Sequence, residues 1–414
     1  MPRHPESGEP MLNTRQAAAR LGVKPETLYA YVSRGLIGRV KAPDGKGSLF
    51  PEAEVEALAV RGTRGSTTRP APADPIRTGL TLIEGDRLSY RGRDVAALAG
   101  AVGFEVVAEW LWRAKAVPDA HFDAPPAALA AARTAAAALP ERARLVDRFQ
   151  AAVTAAAVAD PLRFDIRPAA VIATARTVIA TMVGAAPRPS GGEDRPQASV
   201  AERLWPRLTD RPPTAAGLRA LDAALVLLAD HDVAASTFAA RIAASTRAHP
   251  YAVVTAGLAV MDGPLHGGVG AAVHRLVADA VAGGDPLGVL AERLRGEAGE
   301  GGVPGFGHRL YRTHDPRAEA LLRLLTPLPD PGGVKPAVDA LAAAARERLG
   351  SFPNVDLALA ALAHLTGMPA DAAEAVFAVA RTAGWLAHAL EEYQAPAHRF
   401  RPQGLYLGPA RGAE

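Results

Sequence analysis

The sequence predicts a mainly α-helical protein in which a small unit of short helices precedes a larger helical part. Three observations support this prediction. Segments 124–138, 217–230 and 337–349 are rich in Ala, Leu and Arg, which favour helix over strand. Strand signals are confined to short pieces such as 80–92, a hairpin that turns at residues 84–86. The stretch 62–76, rich in Gly, Ser, Thr and Pro, is typical of a flexible linker between two units.

The first unit has the pattern of a helix-turn-helix. Asn13 is followed three residues later by Gln16, a capping pair that opens an Ala-rich helix. Pro25 then starts a second helix after a short turn, which is the helix-turn-helix plan. A short hairpin, or wing, is expected around 44–45, and a third helix is expected from Glu52.

Residues 1–61 resemble the MerR/excisionase type of helix-turn-helix, most clearly in "AARLGV" and "TLYAYVSRGLI". Residues 1–69 hold eleven Lys and Arg against seven Asp and Glu, whereas the whole chain has a net charge of only +3. This asymmetry favours a DNA-contacting face. The resemblance implies DNA contacts from the second helix and the wing, with the candidates Lys24, Arg34, Arg39 and Lys46. The alternative is an interaction or dimerisation module that has kept the fold.

Composition excludes several classes of site. The chain has no cysteine, which rules out disulfides, thiolate metal sites and thiol nucleophiles and fits a reducing cytoplasm. The first ten residues lack the apolar core of a secretion signal. The apolar stretch 169–186 is Ala-rich and carries Arg176 in its middle, so it predicts a buried helix and not a membrane span. We therefore expect a cytoplasmic protein without a membrane partner.

Ionisable residues concentrate beside Gly or Pro in six stretches of the second unit. They are "ADHDVAASTFAAR" (229–241), "GPLHGGVG" (263–270), "VPGFGHRLYRTHDPRA" (303–318), "PNVDLALAAL" (353–362), "ARTAGWLAHALEEY" (380–393) and "HRFRPQGLYLG" (398–408). His266 and His308 are next to glycines, whose lack of side chains lets a ligand approach the backbone closely. Asp356 lies at the N-terminal edge of an apolar helix, which favours its ionised form. Two imidazoles, one carboxylate and several arginines suit proton abstraction and carbonyl polarisation on an anionic substrate.

Each of these residues taken singly also has a structural explanation, as a helix cap, a core histidine or a solvated arginine. Two other chemistries are not indicated. The chain has no G-x-S-x-G elbow, which argues against a Ser-His-Asp hydrolase. Its histidines show neither H-x3-H nor H-E-x-x-H spacing, so no metal site is expected.

Residues 77–414 resemble the citrate synthase family over essentially the whole of that fold. The motifs occur in the family's order: "IEGDRLSYRGRDVAALA", "H…ASTFAAR", "GPLHGG", "PGFGHRLYRTHDPRA", "NVD", "R-x-x-GW-x-AH" and "RP…LYLGP". The resemblance implies a helical homodimer whose subunit has a large domain, 77–267 plus 373–414, and a small domain, 268–372, that closes over it. It also implies a Claisen-type condensation of acetyl-CoA with oxaloacetate and thioester hydrolysis, giving citrate and CoA. No cofactor is implied, because the CoA thioester is a substrate.

The resemblance carries roles onto matching residues. Asp356 would remove a methyl proton from acetyl-CoA, His266 would hydrogen-bond the thioester oxygen, and His308 would polarise and then protonate the oxaloacetate carbonyl. The oxaloacetate carboxylates would be held by His231, Arg317, Arg381 and Arg401, the last from the other subunit. The CoA candidates are the backbone around Val303, Gly305, Phe306 and Gly307, for the adenine, and the side chains of Arg309 and Arg312, for the phosphates.

Two alternatives remain at this stage. The family commonly has other residues where Ala234, Val269-Gly270, Leu357-Ala358-Leu359 and Gln403 stand. A smaller, more apolar lining would admit a bulkier acyl group, as in a 2-methylcitrate synthase that uses propionyl-CoA. The second alternative is a DNA-binding regulator whose citrate synthase-like part senses a metabolite. Retention of His266, His308 and Asp356 favours the enzyme, because a sensor needs the arginines but not the base.

Overall fold

The chain divides into two compact units, Met1–Arg77 and Thr78–Glu414. The computed structural model describes residues 10–21, 23–33, 36–42, 47–56, 76–195, 197–283, 285–296, 302–400 and 406. Nearly all of the predicted linker, 62–75, therefore lies outside the described residues, as does the wing tip at 44–45.

The first unit has the predicted helix-turn-helix order. Its elements are β1 (Met11–Asn13), α1 (Thr14–Leu21), α2 (Pro25–Ser33), β2 (Val40–Lys41), β3 (Ser48–Pro51) and α3, described over 52–56. The capping pair is confirmed, since the Gln16 N–H donates to Oδ1 of Asn13 at 2.9 Å and the Asn13 N–H donates to Oε1 of Gln16 at 3.1 Å. The wing strands β2 and β3 pair antiparallel as expected. Strand β1, which pairs with β3, was not predicted.

The second unit opens with the predicted hairpin and continues as helices. Strands β4 (Thr81–Glu84), β5 (Arg87–Tyr90) and β6 (Arg93–Asp94) form one antiparallel sheet. The first helices are α4 (Val95–Leu98), α5 (Phe104–Arg113), α6 (Pro126–Ala137), α7 (Leu145–Ala159), α8 (Pro168–Ala185), α9 (Val200–Leu208), α10 (Ala215–Leu228), α11 (Ala235–Ser245) and α12 (Pro250–Met261). The later helices are α13 (Gly270–Val281), α14 (Pro286–Gly296), α15 (Pro316–Leu325), α16 (Val334–Leu349), α17 (Val355–Thr366) and α18 (Ala372–Gln394).

Helix α8 is the apolar segment for which burial was predicted. Within the described residues it is the one helix long and apolar enough to cross a membrane, and 61% of it is buried inside the protein. Nε of Arg176, in its middle, lies 2.6 Å from Oε1 of the fully buried Glu109 on α5. Its charge is therefore neutralised within the helical packing, as expected for a core helix.

Helix α18 lies at the centre of the second unit, where nearly all of its residues are buried. It packs against α5, α7, α8, α10, α11 and α12. Gly384 on α18 approaches the chain just after α10, since a methyl group there would lie 2.5 Å from Oδ1 of Asp230 and also collide with the carbonyl of Ala229. This contact brings α18 against the segment that leads into His231.

The β4–β5 hairpin holds the same segment from the other side. The Thr81 hydroxyl donates to Oδ2 of Asp230, and the Tyr90 hydroxyl donates to the Asp230 carbonyl at 2.8 Å. Nε2 of His388, on α18, lies 3.3 Å from Oδ2 of Asp230. Because Asp230 is fully buried and held from three directions, the position of the next residue, His231, is determined by the core.

Gly384→Ala should lower the free energy of unfolding by about 1–3 kcal/mol, because the added methyl group has no space beside Ala229 and Asp230. Thermal unfolding followed by circular dichroism measures this effect. The matched control is Gly288→Ala in α14, where the methyl group would make only ordinary contact at 3.5 Å and alanine improves helix propensity. A Gly384→Ala midpoint equal to that of the control would contradict the close approach.

Candidate active site

His266 lies on a tight loop between α12 and α13. The residues after it, Gly267–Val269, form a 3₁₀ turn that leads into α13. A methyl group on Gly267 or Gly268 would lie 2.8 Å from the carbonyl oxygen of Met261 or Asp262, respectively. The two glycines therefore let the loop fold back on the end of α12. The space that the two glycines clear is thus occupied by the chain itself, and the close approach of a ligand to His266 stays a prediction.

A serine and a tryptophan determine the proton position on His266. Nε2 of His266 lies 2.7 Å from Oγ of Ser236, a buried residue near the start of α11. Oγ also accepts a hydrogen bond from the indole N–H of Trp385 at 3.2 Å. The buried hydroxyl finds an acceptor for its own proton in Nε2, which leaves the imidazole proton on Nδ1. Burial, with the charge of Arg381, lowers the pKa of His266 to about 4, so the ring is neutral near pH 7.

His308 is also a neutral donor, with the opposite tautomer. The Leu310 N–H donates to Nδ1 of His308 at 3.1 Å, so the proton of the neutral ring is on Nε2. Burial and the charge of Arg317 lower the pKa of His308 to about 4. The His308 ring stands edge-on to that of His231, with 5.1 Å between the ring centroids.

His231 and Arg381 form a buried wall of the site. Burial, with the charges of Arg317 and Arg381, lowers the pKa of His231 well below its usual range. The Arg381 guanidinium donates through Nε to the Leu228 carbonyl at 2.8 Å and lies 4.5 Å from the centroid of the Phe377 ring. Burial lowers the pKa of Arg381 to about 10, so it remains a cation near neutral pH.

Asp315 pairs with Arg317 and also reaches the neighbouring helix α17. Its carboxylate accepts from Nε and NH2 of Arg317 at 3.0 and 2.8 Å, and from the backbone N–H of Val355 at 3.0 Å. Burial opposes the charge of Arg317, but the contact with Asp315 outweighs it and raises the pKa of the guanidinium. The pair therefore stays charged in the interior and places a cation beside the start of α17.

Asp356 is the second residue of α17. Its N–H donates to Oδ1 of Asn354, the N-cap residue, at 3.0 Å. Burial raises the pKa of Asp356 to about 6, against the opposing field of Arg317 and with a further rise from Asp315. A carboxylate with this pKa is ionised at neutral pH and is a stronger base than an exposed aspartate, as a general base requires.

The glycine-containing segment 303–307 lies against the residues that precede Asp356. The Asn354 N–H donates to the carbonyl of Gly305 at 3.0 Å, and the Gly307 N–H donates to the carbonyl of Phe352 at 2.8 Å. Gly305 and Gly307 have φ angles of 88° and 72°, which favour glycine.

The predicted CoA residues divide by exposure. Val303 and Phe306 are buried, so segment 303–307 presents mainly backbone. Arg309 and Arg312 are exposed.

Of the predicted DNA contacts in the first unit, Lys24 and Arg39 are exposed, whereas Arg34 and Lys46 lie outside the described residues. Arg401 and Gln403, in the second unit, also lie outside them.

Several residues of the site were not singled out from the sequence. Ser236 and Asp315 belong to quoted motifs, but their roles depend on partners that are distant along the chain. Asp86, in the β4–β5 turn, accepts from the backbone N–H groups of Arg312 and Thr313 at 2.7 and 2.8 Å. It thereby fixes the segment after His308, and no sequence signal links residues 226 positions apart.

Two further expectations concern the residues that line the site of the acyl group and the presence of a metal site. The side chains of Leu357, Ala358 and Leu359 are buried in the core of the second unit, and their effect on the size of the acyl group stays a prediction. Within the described ranges, no group of three or more His, Cys, Asp or Glu residues has the arrangement to hold a metal ion.

Comparison with protein-family models gives two matches. A model described as "Citrate synthase, C-terminal domain" matches residues 74–403. A model described as "Helix-turn-helix domain" matches residues 11–61.

Individual proteins agree with the first match. A citrate synthase from Saccharolobus solfataricus is 32% identical over 252 residues, covering 58% of this chain and 65% of that protein. The first curated relatives are matched over about half to two thirds of their length. A citrate synthase from Thermoplasma acidophilum, solved with carboxymethyl coenzyme A and oxaloacetate, has a TM-score of 0.68 at 26% identity and covers 82% of this chain and 95% of that one. A citrate synthase from Thermotoga maritima has a TM-score of 0.67 at 27% identity, with the same coverage.

Asp356→Asn should be more stable than the parent at pH 7.5, by about 1–3 kcal/mol. The raised pKa means that the folded state binds the Asp356 proton more tightly than the unfolded state does. The stability that this proton contributes is fully present below the pKa of Asp356 in the unfolded state, and it is lost as the pH rises through 6. Asparagine does not titrate, so the variant loses no stability over this range.

Denaturant unfolding at pH 4.5 and pH 7.5 measures the effect, and the advantage of the variant should shrink by more than half at the lower pH. The control is Asp339→Asn, an exposed aspartate on α16. An advantage for Asp356→Asn that does not change with pH would show that burial of this carboxylate does not cause it.

Proposed function

The chain belongs to the citrate synthase family, and we propose that it condenses acetyl-CoA with oxaloacetate and hydrolyses the resulting thioester to citrate and CoA. One observation carries the proposal. A partly buried carboxylate of raised pKa, Asp356, and the neutral imidazole of His308 lie in the field of Arg317, and the neutral imidazole of His266 lies in the field of Arg381. This combination suits a reaction that removes a carbon-bound proton and stabilises two carbonyl oxygens.

The chemistry assigns one role to each group. Asp356 takes a methyl proton from acetyl-CoA, and the Nδ1–H of His266 donates to the thioester oxygen, so that the enol carries little charge. The enol carbon then attacks the oxaloacetate carbonyl carbon, forming the new C–C bond. The Nε2–H of His308 donates to the carbonyl oxygen and transfers its proton as the alkoxide forms. Water then cleaves the C–S bond, and CoA leaves as the thiol. No cofactor is required.

Substrate binding follows the distribution of charge. We propose that His231, Arg317 and Arg381 hold the oxaloacetate carboxylates, because all three are buried and line one side of the site. Backbone groups of 303–307 would meet the CoA adenine, and the exposed Arg309 and Arg312 would pair with its phosphates.

We also propose a homodimer in which Arg401 of the second subunit completes the oxaloacetate site. Large apolar side chains are exposed on and next to helices α7 and α11, which both pack against α12, as expected for a covered face. They are Val158 (73% exposed), Leu162 (72%), Phe164 (67%), Phe238 (39%) and Ile242 (39%). Within each subunit, 268–372 would move as a small domain over 77–267 and 373–414 and exclude water from the condensation.

A thiol-release assay with oxaloacetate and either acetyl-CoA or propionyl-CoA tests the reaction and its substrate. The parent should release thiol, and Asp356→Asn should lower kcat by at least ~10²-fold, because a general base is lost. Oxaloacetate binding by calorimetry should persist in the variant, and Asp339→Asn is the control. Turnover by Asp356→Asn within a few-fold of the parent would contradict the role of the base. A kcat/KM higher with propionyl-CoA would assign the chain to 2-methylcitrate synthesis.

The helix-turn-helix match favours a second function, binding of duplex DNA by residues 11–61. Lys24 and Arg39 are exposed there, on the two parts of the unit expected to face DNA. The catalytic groups are retained alongside this module, so we propose that DNA binding accompanies catalysis and does not replace it. We propose a cytoplasmic location, since the chain contains no cysteine.

Charge reversal of both residues, Lys24→Glu with Arg39→Glu, should weaken binding to a labelled duplex while leaving thiol release unchanged. Binding of the parent should fall steeply as salt is raised, because phosphate contacts release counterions. The control is Arg142→Glu, an exposed arginine of the second unit. Absence of DNA retention by the full chain at low salt would leave the first unit as an interaction module.

A further inference from the structure

We infer that Tyr311 is a positioning residue of the oxaloacetate site, because its buried hydroxyl donates to Nε2 of His231 and so presents the Nδ1–H of that histidine to a substrate carboxylate. The inference rests on the proposed function and gives a role to a residue that lies in a family motif but had no role assigned. It begins from one contact, in which the Tyr311 hydroxyl lies 2.9 Å from Nε2 of His231.

The direction of this hydrogen bond follows because the buried O–H group of Tyr311 needs an acceptor. Tyr311 is 3% exposed, and its hydroxyl has no other hydrogen-bond partner among the described residues. A buried O–H without an acceptor costs about 1–3 kcal/mol, whereas the neutral imidazole always has one nitrogen free to accept. Burial and the nearby arginines keep His231 neutral. Nε2 therefore accepts from the phenol, and the proton of the ring is on Nδ1.

Tyr311 is itself held firmly. Its ring lies 4.7 Å from the His308 ring and 5.5 Å from the guanidinium carbon of Arg317, measured to the ring centroids. The next two backbone N–H groups in the chain donate to the carboxylate of Asp86, which is 8% exposed. The phenol is thus held between both histidines proposed to contact oxaloacetate, and it determines the orientation of one of them.

The alternative is that Tyr311 occupies the place of the substrate and is displaced when oxaloacetate binds. The two cases predict opposite effects of removing the hydroxyl. A positioning phenol makes oxaloacetate binding tighter, whereas a competing phenol makes it weaker.

Tyr311→Phe keeps the ring and removes only the hydroxyl. We expect KM and the calorimetric Kd for oxaloacetate to rise about tenfold, as for loss of one buried hydrogen bond. KM for acetyl-CoA should stay within about twofold and kcat within about threefold. The matched control is Tyr393→Phe, which removes a phenol that donates to the Ala248 carbonyl at 2.6 Å. A Kd for oxaloacetate that is unchanged or lower in Tyr311→Phe would overturn the inference.

A measurement without substrate separates this inference from the proposed reaction. In protein labelled with ¹⁵N-histidine, the imidazole signal that is absent from His231→Asn should report the Nδ1–H tautomer in the parent. It should move toward a tautomer mixture in Tyr311→Phe and stay unchanged in Tyr393→Phe. An Nε2–H tautomer in the parent would overturn the inference even if thiol release is observed. Failure of the parent to bind oxaloacetate would refute the proposed reaction, while the tautomer would still decide the Tyr311–His231 contact.

Discussion

The buried carboxylate of Asp315 is the interaction on which the geometry of the site depends. It joins Arg317 to the backbone N–H of Val355, forty residues after Asp315 in the chain. One acceptor therefore places the cation proposed to hold oxaloacetate and the helix that carries Asp356, the proposed base. Removing it would leave a buried guanidinium without its partner and the Val355 N–H without its acceptor, and both losses are costly in a low-dielectric interior.

Around this pair, burial determines the protonation of the remaining groups. It lowers the pKa of His266 and of His308 to about 4, and it raises the pKa of Asp356 to about 6. The same desolvation therefore keeps the imidazoles neutral, as hydrogen-bond donors, and makes the carboxylate more basic. Which nitrogen carries each proton depends on neighbours, Ser236 for His266 and the Leu310 N–H for His308. Burial therefore acts in opposite directions on the two residue types, and it leaves the histidines as donors and the aspartate as an acceptor near neutral pH.

The glycines of the two histidine-containing segments allow other parts of the chain to approach closely. The sequence of the His266 loop indicated an exposed, ligand-facing backbone, but Gly267 and Gly268 face the end of α12. The carbonyl of Gly305 accepts from the N–H of Asn354, two residues before Asp356. In each case glycine allows another part of the chain to approach its backbone closely, and only the tertiary structure shows which part that is.

Local pattern determined much of this protein. Ala- and Leu-rich periodicity predicted the helices, the Asn13–Gln16 pair predicted a helix start, and ordered motifs predicted the family. The roles of His266, His308 and Asp356 come from the same motifs and stay predictions. These features depend on residues close together in the chain, where propensity and capping act. The tertiary structure decided the rest: Asp86 beside the segment after His308, Tyr311 against His231, and Ser236 between His266 and Trp385. Such contacts join residues about 30 to more than 200 positions apart, and burial there sets both pKa and tautomer, which no local pattern encodes.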